Sequence, residues 1–232
     1  MKNRITGYIL GKVAFTLAEV LITLAIIGIV AAITIPTLIS NYQKKVVSAK
    51  IQRYYSMINQ AIKMSSIENG EPAQWPFLQE NNSYEYNKEW LEKYILTYIK
   101  NYDVHQCTST RKEVCTRLSN GDLLAFKADA NGGDFYLFTD GKYLPFGNMN
   151  PKTSFCFQFH KLDNSSMWNA DKSIKAKHTQ SVNSIDPYIV DWDGTIESLK
   201  SGKTKSCYDG TAEYCTKLIQ LNNWKIPDDY PW

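Results

Sequence analysis

At 232 residues the chain has room for one ordinary domain with an appended segment. It carries 26 Lys and Arg against 23 Asp and Glu, and Lys2, Arg4 and Lys12 account for the whole net charge of +3. The remainder is neutral, which gives no basic surface for nucleic acid, and the five cysteines include no Cys-x-x-Cys pair of the zinc or thioredoxin kind.

The first fourteen residues are basic and hold no acid. From Phe15 to Ile39 follow twenty-five residues with a single charge, Glu19. As a helix they would span about 37 Å, enough to cross a hydrocarbon layer of about 30 Å with tilt. Pro36, near the far end, lacks an amide hydrogen and is expected to kink the helix. The helix is predicted to continue to Glu68. Val47, Ile51, Tyr54, Ile58, Ala61 and Ser65 recur at steps of three and four. Asn69-Gly70 and Pro72 then stop it. Apolar all round at first and striped later, it reads as lipid or filament core followed by a domain packed on one face. A carboxylate within a membrane helix is costly, so Glu19 is expected either to sit at the interface near the helix N-terminus or to pair with a cation from another chain.

The segment Lys12-Val13-Ala14-Phe15-Thr16-Leu17-Ala18-Glu19-Val20 resembles the cleavage and methylation segment of type IV pilins and type II secretion pseudopilins. The resemblance covers about 27 residues. It implies a leader of residues 1–14, cut by a prepilin peptidase between Ala14 and Phe15, with methylation of the new amino terminus on Phe15. Ala14 departs from the glycine usual in that family, though it keeps the small size. The resemblance also implies that Glu19, fifth in the mature chain, pairs with the terminal amine of a neighbouring subunit, and it places Pro36 where the family carries a helix-breaking proline. Its fold would be α+β, a long N-terminal helix (15–39 in the membrane or filament core) laid against an antiparallel sheet in residues 40–232. Its partners would be the peptidase, other pilin or pseudopilin subunits, an inner-membrane assembly platform and membrane lipid. The protein would be single-pass in a bacterial inner membrane, with its C-terminal domain outside the cytoplasm, and would serve a type II secretion pseudopilus or a type IV pilus. A minor adhesive tip subunit or a DNA-uptake pseudopilin are variants of that reading. A secretory signal ending at Val30-Ala31-Ala32, or a plain anchor, are the competing uses of the apolar run. Basic residues flank the run on both sides and do not fix its orientation.

Residues 70 to 83 read as a loop. A second helix is predicted from Tyr84 to Tyr102, with Trp90, Leu91, Tyr94, Ile95, Tyr98 and Ile99 on its apolar face. Strands are predicted at Asp122–Lys127, Asp134–Thr139, Lys142–Phe146, Ser154–Lys161 and Pro187–Trp192. Asn131-Gly132-Gly133 and Asp140-Gly141 serve as hairpin turns. Residues 163–184 read as a polar excursion. Cys107/Cys115 and Cys207/Cys215 each enclose seven residues, small loops that suit disulfides in an oxidising compartment, with connectivity left open. Cys156 lies in an apolar run and reads as a buried thiol. The tail from Cys207 to Trp232, rich in Tyr and Trp, resembles the ending of a bacterial subgroup of pilin-like secretion proteins. It is expected to seal the sheet or to expose an aromatic patch.

One stretch looks catalytic. Tyr188-Ile189-Val190-Asp191-Trp192-Asp193-Gly194-Thr195-Ile196 resembles the first motif of haloacid-dehalogenase-like phosphohydrolases, in which the two aspartates act as nucleophile and general acid beside magnesium. Only 37 residues follow Thr195, too few for the rest of that domain. A strand ending in an Asp-Gly turn is the expectation, with calcium at Asp191 and Asp193 as a further alternative. His105, His160 and His178 share no spacing, and Asn164-Ser165-Ser166 is discounted as a chance glycosylation triplet. No phosphate loop, nucleophile elbow or zinc helix appears. The expectation is a structural subunit, not an enzyme, with no cofactor.

Overall fold

The computed structural model describes residues 15–76, 83–129, 132–160 and 183–232. The chain divides into two units, Met1–Tyr42 and Gln43–Trp232. One helix, α1 (Leu17–Asn69), contributes to both and passes through Pro36. It ends at Gly70, whose φ of 77° is a left-handed conformation that costs glycine little. The Trp75 indole donates to the Gly70 carbonyl at 2.9 Å, closing the turn.

The second unit is α+β. Six antiparallel strands run in simple order: β1 (Asn101–Gln106), β2 (Val114–Leu118), β3 (Leu123–Asp129), β4 (Gly132–Phe138), β5 (Ser154–His160) and β6 (Ile185–Pro187). Helix α2 (Tyr84–Tyr94) precedes them, and among the described residues two short helices follow, α3 (Ile196–Lys200) and α4 (Cys215–Leu221).

Register fixes what each face of the sheet carries. Phe126 pairs with Phe135, and Phe135 with Phe157, so these share a face with Leu124, Leu137, Phe155 and Phe159. This face meets the helices. Tyr54 of α1 lies 5.2 Å from Phe157, Trp90 of α2 stacks on Phe126 at 4.8 Å, and Trp75 stacks on Phe159 at 5.9 Å. Ile51, Tyr54, Ile58, Ala61, Ile62 and Ser65 are the buried stripe of α1; helical periodicity predicts five of them but not Ile62, and it adds Val47, which packs at the margin. Buried Asn87 ties α2 to the sheet: its Oδ1 accepts from the Ala128 amide at 3.0 Å and its Nδ2 donates to the Lys112 carbonyl at 2.8 Å.

Tyr136, Phe138, Cys156 and Gln158 occupy the opposite face, which is buried too. Phe146 packs 6.1 Å from Tyr136 and 5.6 Å from Tyr188, and Tyr143 packs 5.6 Å from Phe138. The tail packs inward as well. Tyr214 and Tyr230 are buried, and Trp224 sits 4.9 Å from Tyr55 of α1. The aromatic ending therefore seals the domain and does not form an exposed patch.

Both small disulfides are present, Cys107–Cys115 and Cys207–Cys215, with Cα separations of 4.9 and 4.8 Å. The first joins the chain leaving β1 to β2. The second ties the loop after α3 to the first residue of α4.

Several expected boundaries move. The second helix ends at Tyr94, not Tyr102. A short 3-10 turn at Leu96–Tyr98 follows, and Asn101-Tyr102 opens β1. The β-branched Ile95, Thr97 and Ile99 weaken helix there. Lys142–Phe146 is not a strand. β4 already has β3 and β5 on its two sides, leaving no edge to pair with, and Pro145 lacks an amide donor. The turn at Asp140-Gly141 forms, with the Gly141 amide donating to the Phe138 carbonyl at 3.2 Å, but it opens a connection and not a hairpin. Pro187–Trp192 is extended only at its start. The ladder gives out after the Tyr188 amide donates to the Cys156 carbonyl at 3.2 Å, and a turn carries Asp191 at φ 63°. Gly132 and Gly133 belong to β4, where a Cβ on Gly133 would lie 2.5 Å from the Phe126 ring. The leader with Ala14, residues 77–82, Asn131, His178, the side chain of His160, the Asn164 triplet and all of the polar excursion except 183–184 lie outside the described residues.

Candidate functional site

The segment that carries the family resemblance opens α1. The Glu19 Oε2 accepts from the Thr16 amide and the Thr16 hydroxyl, both at 2.8 Å, and the Glu19 amide donates to the Thr16 hydroxyl at 3.2 Å. This reciprocal pair is a capping box, legible in the sequence as Thr-x-x-Glu. It satisfies two amides that a helix start leaves unpaired and sets a negative charge at the positive end of the helix dipole. The cap alone accounts for a carboxylate at this position. It uses one carboxylate oxygen; Oε1 has no hydrogen-bond donor among the described residues, so a cation from elsewhere has an acceptor ready.

Past the cap, the apolar side chains are exposed. Phe15 is 83% exposed, and Leu21, Leu24, Ile27, Ile29, Ile33 and Leu38 are all exposed. Thr23 and Thr34 return their hydroxyls to the Val20 and Val30 carbonyls at 2.9 Å, which hides polar groups that hydrocarbon would penalise. Pro36 withholds the amide that would donate to the Ala32 carbonyl. Among the described residues α1 is the one helix long and apolar enough to cross a membrane.

The Asp191–Thr195 stretch is a turn held by the chain's own side chains. Asp193 Oδ1 accepts from the Thr195 amide (3.0 Å), the Thr195 hydroxyl (2.7 Å) and the Ser198 hydroxyl (2.5 Å). Thr195 in turn caps α3, accepting from the Ser198 amide at 3.2 Å. Partial burial pushes the Asp193 carboxyl upward, but the hydrogen bonds from Ser198 and Thr195 and the Lys203 charge outweigh it and hold the group at about 2. Lys205 pairs with Asp191 at 2.7 Å, and Lys203 lies 3.5 Å from Asp193. No cluster of three or more metal-ligating side chains occurs among the described residues. Asp193 is buttressed by the hydroxyls of its own turn and stays partly exposed.

Cys156 is a free, fully buried thiol. Burial first, and then the charges of Asp134 and Glu213, push its ionisation well above the ordinary range, which leaves it inert as a nucleophile. His105 is surface-placed beside Asp103, with the ring Nδ1 2.7 Å from the Asp103 carbonyl oxygen. One pair was not foreseen from the sequence: the Lys50 ammonium meets the buried Asp122 carboxylate at 2.6 Å and donates to the Thr139 carbonyl at 2.9 Å, pinning α1 to the β2–β3 and β4 ends.

No curated protein and no solved structure matches this chain. A family of unknown function, DUF6613, matches residues 37–232, from just past Pro36 through the second half of α1 and the whole sheet domain. The match covers most of the chain, which therefore belongs to the family DUF6613.

Proposed function

We propose that the protein is a prepilin-like structural subunit of a type II secretion pseudopilus or a type IV pilus. In this reading residues 1–14 are a leader removed before Phe15, and α1 up to Ile39 spans the inner membrane until assembly. The sheet domain then stands outside the cytoplasm. The observation that carries it is the conjunction at α1: the Ala14-Phe15-Thr16-Leu17-Ala18-Glu19 segment opens a capped helix whose first half is apolar and unpacked. The same helix goes on to become the spine of a disulfide-tied α+β domain.

The mechanism is assembly. The bilayer penalises an isolated carboxylate and an isolated ammonium, and pairing them between subunits relieves both. Glu19 keeps one oxygen outside its cap for that contact. The exposed Leu and Ile side chains then pack against those of neighbours, replacing lipid. Glu19→Ala should insert into the membrane and lose its leader as the native chain does, yet be absent from sheared filaments. Normal filament incorporation of that variant would sink the charge-pairing mechanism.

A further inference from the structure

The apolar run of α1 gives out at Ile39, and the next six residues are Ser40, Asn41, Tyr42, Gln43, Lys44 and Lys45. All lie in helical backbone. They therefore cover about 9 Å of axis, close to the thickness of one headgroup layer. Tyr42 is 69% exposed, an amphipathic ring of the kind that settles at a membrane–water boundary. Lys45 is exposed and Lys44 half-buried.

These two lysines have no internal anion among the described residues. From Val20 to Ile67 the chain contains no Asp or Glu, so no neighbour on the helix can neutralise them. Among the described residues neither makes an ion pair or a side-chain hydrogen bond. Lys50, a turn and a half further on, shows the alternative: the sheet domain supplies Asp122 to it at 2.6 Å. Lys44 and Lys45, side by side at about 100° around the axis, form an uncompensated cationic band directly after an apolar run of membrane length.

We propose that Lys44 and Lys45 bind the phosphates of anionic phospholipid headgroups on the face of the bilayer where α1 emerges. The proposal rests on the membrane-spanning reading of α1 given above. Charge complementarity and continuity with the apolar run select lipid over a protein partner. The band meets headgroups at the depth the apolar run already sets, and lysine stems extend along apolar surface to reach them. Such contacts fix the depth of the waiting subunit and are given up when α1 leaves the membrane for a filament.

The test uses the full chain in phosphatidylcholine proteoliposomes holding traces of spin-labelled phosphatidylglycerol or spin-labelled phosphatidylcholine. Electron paramagnetic resonance separates lipid slowed at the protein surface from free lipid. The native chain should retain phosphatidylglycerol over phosphatidylcholine by roughly two- to fivefold. In the Lys44→Gln/Lys45→Gln double variant the preference should fall to what Lys2, Arg4 and Lys12 supply in both proteins. It should survive Lys44→Arg/Lys45→Arg and Arg53→Gln, and it should weaken in high salt. An unchanged preference in the double glutamine variant overturns the proposal while leaving the span intact. The absence of slowed lipid with either label overturns the span, and this proposal with it.

Discussion

The two halves of α1 share one backbone and obey opposite rules. From Val20 to Ile39 the side chains are mostly Leu, Ile, Val and Ala on every face, and all are exposed or nearly so. After Gln43 the apolar residues narrow to one stripe, and that stripe is buried against the sheet. A helix apolar all round needs a continuous apolar environment, whereas a striped helix needs one surface. Hydrophobic content alone would rank the first half as the better core. The second half is the core, because Tyr54 and Ile58 have Phe157 and its neighbours to fill the other side of the contact.

That contrast can be broken by substitution. Tyr54→Ala, which empties a fully buried site, should cost about 3–5 kcal/mol, whereas Leu24→Ala, at an exposed site, should change stability by less than about 0.5 kcal/mol. Urea unfolding of the full chain in micelles, followed by tryptophan fluorescence, reads both. Equal losses would mean that the first half packs on the domain.

The disulfides sharpen the comparison, since both lie in the second unit. Replacing both cysteines of either bridge by Ser should cost about 2–3 kcal/mol by the chain-entropy estimate for so small a loop, with no loss of membrane association. A smaller step is Asp122→Asn. It leaves the Lys50 ammonium facing a neutral partner where α1 meets the strand ends, and should cost about 1–3 kcal/mol in the same melts.

How far these contrasts were legible in the sequence depended on the kind of signal. Periodicity marked α1 almost to the residue and picked most of its buried stripe, missing Ile62, because both follow from local geometry. β3, β4 and β5 were legible for the same reason, through alternation and glycine. β1 and β2 were missed. β1 is a half-exposed edge with a register irregularity between Tyr102 and His105, and only pairing across the disulfide makes it a strand. α3 and α4 were missed because both are short and their signals, the Thr195 cap and the Cys207–Cys215 tie, act only once the tail is folded back. The Asp191-x-Asp193 motif looked chemical in sequence, yet the lysines and hydroxyls that claim it lie up to fourteen residues downstream in chain order. At Glu19 the sequence reading found the helix N-terminus but missed the Thr16 cap, whose signal is the Thr-x-x-Glu spacing, while any partner on another chain lies beyond a single sequence.

The smallest expected effect concerns pH. Asp193 is held at about 2 against an ordinary value of 3.8. A depressed carboxyl contributes stability that is present in full above its unfolded value and is lost as pH falls through the folded one. Asp193→Asn should therefore flatten the acid limb of a stability profile between about pH 4 and 2. Partial exposure to solvent keeps the change modest. An unaltered limb would show that the α3 cap does not report on folding.

The most direct test of the account is the amino terminus of the protein recovered from membranes, read by mass spectrometry. The account predicts a chain that begins at Phe15 and carries a methyl group on its terminal amine. A chain beginning at Ile33 would contradict it, making the first half of α1 an ordinary secretory signal.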